Sequence, residues 1–533
     1  MTPPTTSSVV ILTLGVVLVL VLAGCQSVMS AGLGSDHPVH RFLVRAVKKN
    51  ERRLFIQIPG LLNRTLCGAL PIYMHWVLSW FSPGGLRWAE RLLNPLVSAL
   101  HVLLVAGIAL VAATSDGVKD INSALTACAF GLTPQFYHSF SARNFGLSAR
   151  SIGLLFLTVF FACAQVTISD GGFDWLSLIG SSWLVWGFST FATQSMVLFS
   201  LALILIAGTV VPLVAVAAGA ALFVLIHPAY ARSYLRSTLD FIFAYAKQIA
   251  PIYILQQRYS IWRDLVWDVW RAFRQGPSSG VRYAYDNSIL VVLLLNPLVC
   301  IGCWDFLWGG MQSGGIRGFA GAISAASIAA VVLTSFRWTR FLGEPERYAE
   351  AASPWGALAA IPAIADSLGT ASVIGIIALF LVVDVAQVTL SGFVARRLRA
   401  NQSSLDELTA AINDLLIDVR LCSNNEQVTK RLMLHDWKFA CCISASDDYC
   451  GLSFSEAFSR YPMLRRKSME RIVAECRVNV CVFDRSLFDT IFDETPSGLL
   501  AMETVHESSG FRVTILKWAG DCPEPGEGRG LRP

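Results

Sequence analysis

Apolar stretches long enough to cross a bilayer recur along the chain as far as residue 391, and nothing else in the sequence constrains the fold as strongly. They lie at 9–24, near 93–113, 119–137, 151–168 and 175–193, over 195–226, and near 286–307, 318–334, 355–369 and 371–391. The run 195–226 is too long for one helix and contains Pro212, so it reads as two, which brings the set to about eleven transmembrane helices. Only 15% of the residues are charged and the mean hydropathy is +0.54, whereas a soluble domain carries about 25% charge. The apolar excess has to face lipid, which excludes a soluble protein. The expected fold is a polytopic α-helical membrane domain over 1–395, a small soluble α/β domain over 396–520, and a disordered tail over 521–533 rich in Pro and Gly.

The segments between the spans are unequal. The first apolar run ends in Leu22-Ala23-Gly24-Cys25, which resembles a lipoprotein processing box, yet the leader MTPPTTSS has no Lys or Arg. A secretory leader is normally basic, so a retained first helix is the preferred reading. A long first loop (25–92) follows. A second insertion, 227–283, alternates aromatic and basic residues: Trp262, Trp267 and Trp270 stand beside Arg258, Arg263, Arg271 and Arg274. Indoles and arginines so mixed suit helices lying in the membrane interface. A polar hairpin occupies 335–354. In the tail, helix-like runs (LDELTAAINDLL, EQVTKRLMLH, SFSEAFSRY, KSMERIVAEC, SLFDTIF) alternate with strand-like ones (VRLCS, KFACCIS, VNVCVFD, FRVTILKW), the pattern of a largely parallel sheet. The 13 cysteines are read as lacking the C-x-x-C pairs of a zinc or redox site, and as small core residues. The net charge of +5 is modest, and the basic residues gather in membrane-flanking loops, which suits lipid or phosphate contacts rather than nucleic acid.

Candidate functional residues concentrate in 35–81. Asp36 stands in Ser-Asp-His-Pro, the pattern of a helix N-cap with Pro just inside, and equally a carboxylate at a membrane edge. His37 and His40 are three apart, and His75 lies in the aromatic re-entry Pro71-Ile72-Tyr73-Met74-His75-Trp76. Two arginines farther along are placed to meet an anion, Arg150 at the start of a span and Arg347 in the late hairpin, beside Tyr348. Arginine suits phosphate because its planar fork binds two oxygens at once. The plainer readings are a membrane-flanking charge for Arg150 and pairing of Arg347 with Glu344, Glu346 or Glu350. Asp484 ends an apolar strand without a glycine-rich phosphate loop, so no nucleotide site is assigned.

Three places together resemble the GT-C superfamily, multi-pass glycosyltransferases that use polyprenyl-phosphate-linked sugars. They are the first loop with its acidic start, basic helix and P-x-Y-x-H-W re-entry; the stretch LTPQFYHSFSARNFGLSARSIGLLF (132–156), which looks like a span, short loop and span; and the late loop with Glu346-Arg347-Tyr348 ahead of a soluble α/β tail. The resemblance implies that Asp36 is the catalytic base and that His37, His40, His75, Arg150, Arg347 and Tyr348 bind substrate. It implies a sugar donor on a polyprenyl phosphate and a glycan, lipid or protein acceptor in the cell envelope. It also implies residence in the bacterial cytoplasmic membrane, among membrane lipids, with the tail outside the cytoplasm. Metal-dependent oligosaccharyltransferases of the superfamily carry a D-x-D-like pair in the second external loop; residues 138–150 here hold no carboxylate, so no cofactor or metal is expected.

One signal opposes this sidedness. The first loop carries Arg41, Arg45, Lys48, Lys49, Arg52, Arg53 and Arg64, which the positive-inside rule would place in the cytoplasm. The competing function is a transporter or flippase of a lipid-linked saccharide, to which Asp305, Asp366 and Asp384 in or near spans would belong.

Overall fold

The structure is a computed structural model that describes residues 6–33, 37–54, 57–61, 64–67, 72–116, 120–138, 147–170, 174–244, 262–309, 315–336, 339, 342–415, 419–432, 439–440, 454–460, 463–488, 491–492, 496–508 and 510–519. Asp36 lies outside these residues, as does the 521–533 tail, and of His37 only the helical backbone is described. The chain forms two compact units. One comprises Met1–Gln57, Cys67–Ala250 and Leu255–Leu398; the other comprises Ile58–Leu66, Pro251–Ile254 and Arg399–Pro533.

The first unit is helical. In order come α1 (Thr6–Ser30) and α2 (His37–Lys49), then, after the strands β1 (Gln57–Leu61) and β2 (Arg64–Cys67), which fall almost wholly in the second unit, α3 (Tyr73–Leu78), α4 (Pro83–Asp116), α5 (Asp120–Gly131) and a 3-10 turn (Pro134–Tyr137). Then follow α6 (Arg150–Asp170), α7 (Trp175–Phe188), α8 (Thr190–Ala207), α9 (Val211–Ile226), α10 (Pro228–Ala244), α11 (Trp262–Arg274) and α12 (Pro277–Asp286). The last set is α13 (Ser288–Leu295), α14 (Pro297–Trp308), α15 (Gly315–Thr334), α16 (Glu346–Leu368) and α17 (Thr370–Asn413). Among the described residues six helices are long and apolar enough to cross a membrane, or seven if the bent pair α13–α14 is one span. This is an integral membrane protein, but the count of about eleven is not met by length. The runs near 119–137, 175–193 and 211–226 yield helices of only 12, 14 and 16 residues. At 1.5 Å per residue these reach roughly 18–24 Å, short of the roughly 30 Å hydrocarbon core.

Helix breaks fall where the backbone demands them. The run 195–226 divides at Gly208, in the left-handed region at φ 65°, a conformation glycine adopts without steric cost. Pro212 sits harmlessly in the first turn of α9, which corrects its assignment as the break. The run 286–307 bends by 78° between α13 and α14, at Asn296 and Pro297, where proline has no N–H to continue the ladder. Close packing of α14, α15 and α16 rests on small residues: a Cβ on Gly356 would strike the backbone of Val299, and Trp355 is enclosed edge-on by Phe161 and Phe319. α1 belongs to this bundle, since Val19, Leu22 and Ala23 are core residues and Gln26 donates to the Tyr137 carbonyl (2.8 Å) and to Ser391 (3.0 Å).

Two expectations about polar residues change. Asp305 and Asp366 sit at helix ends, where both pair with Arg317, at 3.1 and 2.8 Å. Cys300 and Cys303 stand in C-x-x-C spacing in α14 and border an apolar cavity of about 220 Å³ with Trp304 and Leu307. Reading the cysteines only as scattered core residues passes over that spacing.

The second unit carries a five-stranded sheet in the order β4-β3-β7-β9-β8. Its elements are β3 (Arg420–Ser423), α18 (Glu426–Leu432), β4 (Phe439–Ala440), α19 (Phe454–Ala457), β5 (Phe458–Arg460), β6 (Met463–Leu464), α20 (Arg466–Glu475), β7 (Val480–Asp484), β8 (Leu499–Glu507) and β9 (Phe511–Trp518). β3 is parallel to β4 and β7, but β9 is antiparallel to both β7 and β8. The sheet is therefore mixed rather than largely parallel: a short connection returns the chain from β8 directly into β9. Asp484 at the end of β7 accepts from Asn425 (3.1 Å) and from Ser486 (2.6 Å), closing a turn.

Candidate functional site

One end of the helical unit gathers the starts of α6, α8 and α16. Arg150 opens α6, its backbone N–H held by the Ser148 hydroxyl (3.1 Å). Thr190 opens α8 behind the Ser189 cap, which accepts from the Ala192 N–H (3.2 Å). Glu346 opens α16. These starts bring residues from three distant parts of the chain to one ring. The Arg150 guanidinium and the Arg347 guanidinium each stand 5.5 Å from the centre of Phe191. Tyr348 packs against the same ring at 5.1 Å and donates its hydroxyl to the Leu342 carbonyl (2.5 Å). Burial pushes the Tyr348 phenol well above its ordinary range, although the adjacent Arg347 pulls the other way.

Both arginines are paired with carboxylates. Arg150 Nη2 meets Glu350 Oε2 at 2.6 Å in a buried pair, and Arg347 Nη2 meets Glu344 Oε2 at 2.5 Å. The two differ in access: the Arg347 side chain is 35% exposed and the Arg150 side chain 10%. With Glu346 nearby, the group holds two cations and three carboxylates among the described residues, a formal charge of −1 for those five.

Beneath α16 lies a buried amide relay that sequence reasoning missed. Gln135 of the 3-10 turn donates to the Glu346 carbonyl at 2.5 Å. Asn296, at the break between α13 and α14, donates to Gln135 Oε1 (2.7 Å), the Ala349 carbonyl (3.0 Å) and Ser353 Oγ (2.8 Å). Ser327 of α15 donates to the Tyr348 carbonyl (2.9 Å). The available signal was an Asn-Pro pair inside an apolar run, since a polar residue at a broken span needs a partner.

The first-loop histidines form a second pair. His40 Nδ1 and His75 Nε2 are 2.9 Å apart, with rings stacked at 5.2 Å, joining α2 to α3. Arg41 on the next position of α2 pairs with Glu90 of α4 at 2.7 Å. Val44, Met74, Leu78, Leu86 and Leu147 form one apolar cluster, against which Ala149 and Ile152 on either side of Arg150 also pack. The structure thus brings Arg150, Arg347 and Tyr348 into one cluster and His40 and His75 into another. It joins the two by apolar packing. Among the described residues no group of three His, Cys, Asp or Glu side chains is placed to hold a metal ion.

No known sequence family matches the chain, and no curated protein does. Among solved structures, it is similar to ArnT from Cupriavidus metallidurans bound to undecaprenyl phosphate, at 12% identity and a TM-score of 0.42, over 94% of this chain and 97% of that one. The apo state of the same ArnT gives 13% and 0.41 over the same shares. The archaeal oligosaccharyltransferase AglB from Archaeoglobus fulgidus, in complex with an inhibitory peptide and a dolichol-phosphate, gives 11% and 0.45 over 88% of this chain and 69% of that one.

Proposed function

We propose that this protein is a membrane glycosyltransferase that moves a sugar from a polyprenyl-phosphate donor to an acceptor hydroxyl of the cell envelope. The observation that carries the reading is the convergence of Arg150 and Arg347, far apart in sequence, on the one Phe191 ring against which Tyr348 also packs, at the loop end of a membrane bundle. Arg347, the more exposed of the two, is the phosphate ligand, and Arg150 supports it from within. Asp36 is the base: the acceptor oxygen attacks the anomeric carbon as the bond to the phosphate oxygen breaks, the acceptor proton passes to the Asp36 carboxylate, and the freed phosphate takes the electron pair with inversion. His37, His40 and His75 line the approach of the acceptor. In this reading the tail lies outside the cytoplasm, and the basic first loop holds lipid phosphates.

The test is glycan incorporation in cells that depend on this protein. Asp36→Asn is expected to abolish incorporation while the protein still inserts at its normal level, and unchanged incorporation would remove Asp36 as the base. A reporter fused after residue 396 is expected to report an extracytoplasmic tail; a cytoplasmic result overturns the reading. The second reading, a transporter or flippase of a lipid-linked saccharide, rests on Asp384. This carboxylate is fully buried in α17, with neither oxygen hydrogen-bonded among the described residues, and ionisable groups so placed mark transport paths.

A further inference from the structure

We propose that α11 is a docking helix whose partner is the lipid bilayer surface, at the depth where headgroups meet acyl chains. The helix has two dissimilar faces. Leu265 is buried, Asp268 accepts from the Tyr283 hydroxyl of α12 (3.5 Å), and the Phe273 ring lies on Gly280, where a Cβ would collide. That face belongs to the protein. Turned away from it are Val266, Trp267 and Trp270, between 48% and 76% exposed, while Phe273, its ring resting on Gly280, stays 49% exposed. Val266, Trp270 and Phe273 follow one helical stripe; Trp267, Arg271 and Arg274 follow the next. Trp267 and Trp270 meet edge to face at 5.6 Å, and the Arg274 guanidinium stands 4.2 Å over the Trp270 ring.

An apolar stripe of indoles edged by guanidiniums is the chemistry of the membrane interface, where the ring bodies enter the acyl boundary and the cations reach headgroup phosphates. Two further observations favour lipid over a protein partner. The surface is continuous with a membrane span: α12 ends at Asp286, Asn287 caps α13, and α13 exposes Leu293 and Leu294. Asp268 is tied to α12 through Tyr283 and pairs with Arg271 at 3.5 Å, and Arg274 stands over the Trp270 ring on the outer stripes. The docking also reaches inward. Tyr285 of α12 stacks on His138 at 3.9 Å, and its carbonyl lies 2.9 Å from His138 Nε2, directly after the 3-10 turn whose Gln135 holds α16. Bilayer contact therefore sets the height of the turn beside the Arg150–Arg347 cluster.

The proposal stands whether or not the transferase reading does, because its test reads lipid contact. The full-length protein is placed in phosphatidylcholine–phosphatidylglycerol vesicles containing lipid brominated near the top of the acyl chain, which quenches tryptophans at that depth. In Trp267→Phe/Trp270→Phe, two of the 15 tryptophans are removed, so the quenchable emission is expected to fall by about an eighth or more. A photoreactive benzoyl-phenylalanine at position 266 is expected to yield phospholipid adducts on irradiation. Unchanged quenching in the double variant, or adducts to a second copy or another protein in place of lipid, overturns the proposal.

Discussion

The buried Arg150–Glu350 pair offers the sharpest test of the site's architecture. Both side chains are nearly sealed, at 10% and 1% exposure, so removing one partner strands an ion in a medium that cannot hydrate it. Breaking such a pair costs about 3–5 kcal/mol, whereas replacing both partners by apolar groups of similar size is neutral or stabilising. Here Arg347 opposes the Arg150 charge through space while Glu344 and Glu346 favour it, so a lone Arg150 keeps partial compensation from two carboxylates against one cation and the lower end applies. Glu350→Leu is therefore expected to cost about 3 kcal/mol, a fall in unfolding midpoint on the order of 5 °C for a unit this large. Arg150→Met leaves Glu350 buried, with no hydrogen-bond partner for its Oε1 among the described residues, and is expected to cost about 4 kcal/mol. Arg150→Met/Glu350→Leu is expected to fall within about 1 kcal/mol of the parent. Thermal unfolding of the full-length protein in detergent, followed by near-ultraviolet fluorescence, reads all four proteins. Single-variant losses that simply add in the double variant would show that the two side chains do not form a pair.

Arg347→Gln is expected to lower sugar transfer at least tenfold with a smaller loss of stability than Arg150→Met, because the Arg347 side chain is 35% exposed against 10% for Arg150, although Glu344 is itself buried; a stability loss equal to that of Arg150→Met would assign Arg347 to structure alone. Asn296→Leu strips Gln135 Oε1 of its donor and is expected to cost about 1–3 kcal/mol, read in the same unfolding assay; a neutral result would break the relay argument. In the tail, Cys422, Cys476 and Cys481 are buried, and burial pushes the Cys481 thiol upward, so all three are expected to resist iodoacetamide at pH 8 until denaturant is added. Peptide-resolved alkylation checks this, and rapid native labelling of Cys481 would contradict the packed sheet.

Much of the fold was legible because periodicity and length speak directly. The apolar runs became helices close to their expected limits, as in α6 at Arg150–Asp170 and α15 at Gly315–Thr334. The central tail strands fell on VRLCS, VNVCVFD and FRVTILKW. What failed was set by partners the sequence does not display. β8 is an edge strand exposed on both faces, so LLAMETVHE carries no clean alternation, and it went unread. SFSEAFSRY looked helical but forms one turn and then pairs with β6 as β5. In the site, arginine type and position were readable, and so was the pairing of Arg347 with a glutamate of its own loop. The partner of Arg150 was not, because Glu350 is 200 residues away and only the packing of α6 against α16 brings them together.

That pairing changes how the cluster can serve an anion. Two arginines met as a sequence suggest a waiting phosphate site, but here they stand in a group of formal charge −1. A phosphate cannot simply settle between them; it has to take the place of a carboxylate. The two pairs differ in the access of the arginine. Releasing Glu344 from Arg347 gives up a pair whose arginine is 35% exposed, although Glu344 itself is only 7% exposed. Releasing Glu350 from Arg150 would leave a desolvated carboxylate in the bundle, which no single phosphate contact repays. The geometry therefore divides the labour. Arg150 and Glu350 fix the start of α16 against α6, and under the proposed function Arg347, carried three residues ahead of Glu350 on that fixed helix, is the one that would exchange Glu344 for a phosphate. A site working in that way would be closed to weakly held ions and would open to a ligand whose other contacts, with lipid or with a sugar, supply the energy to displace Glu344.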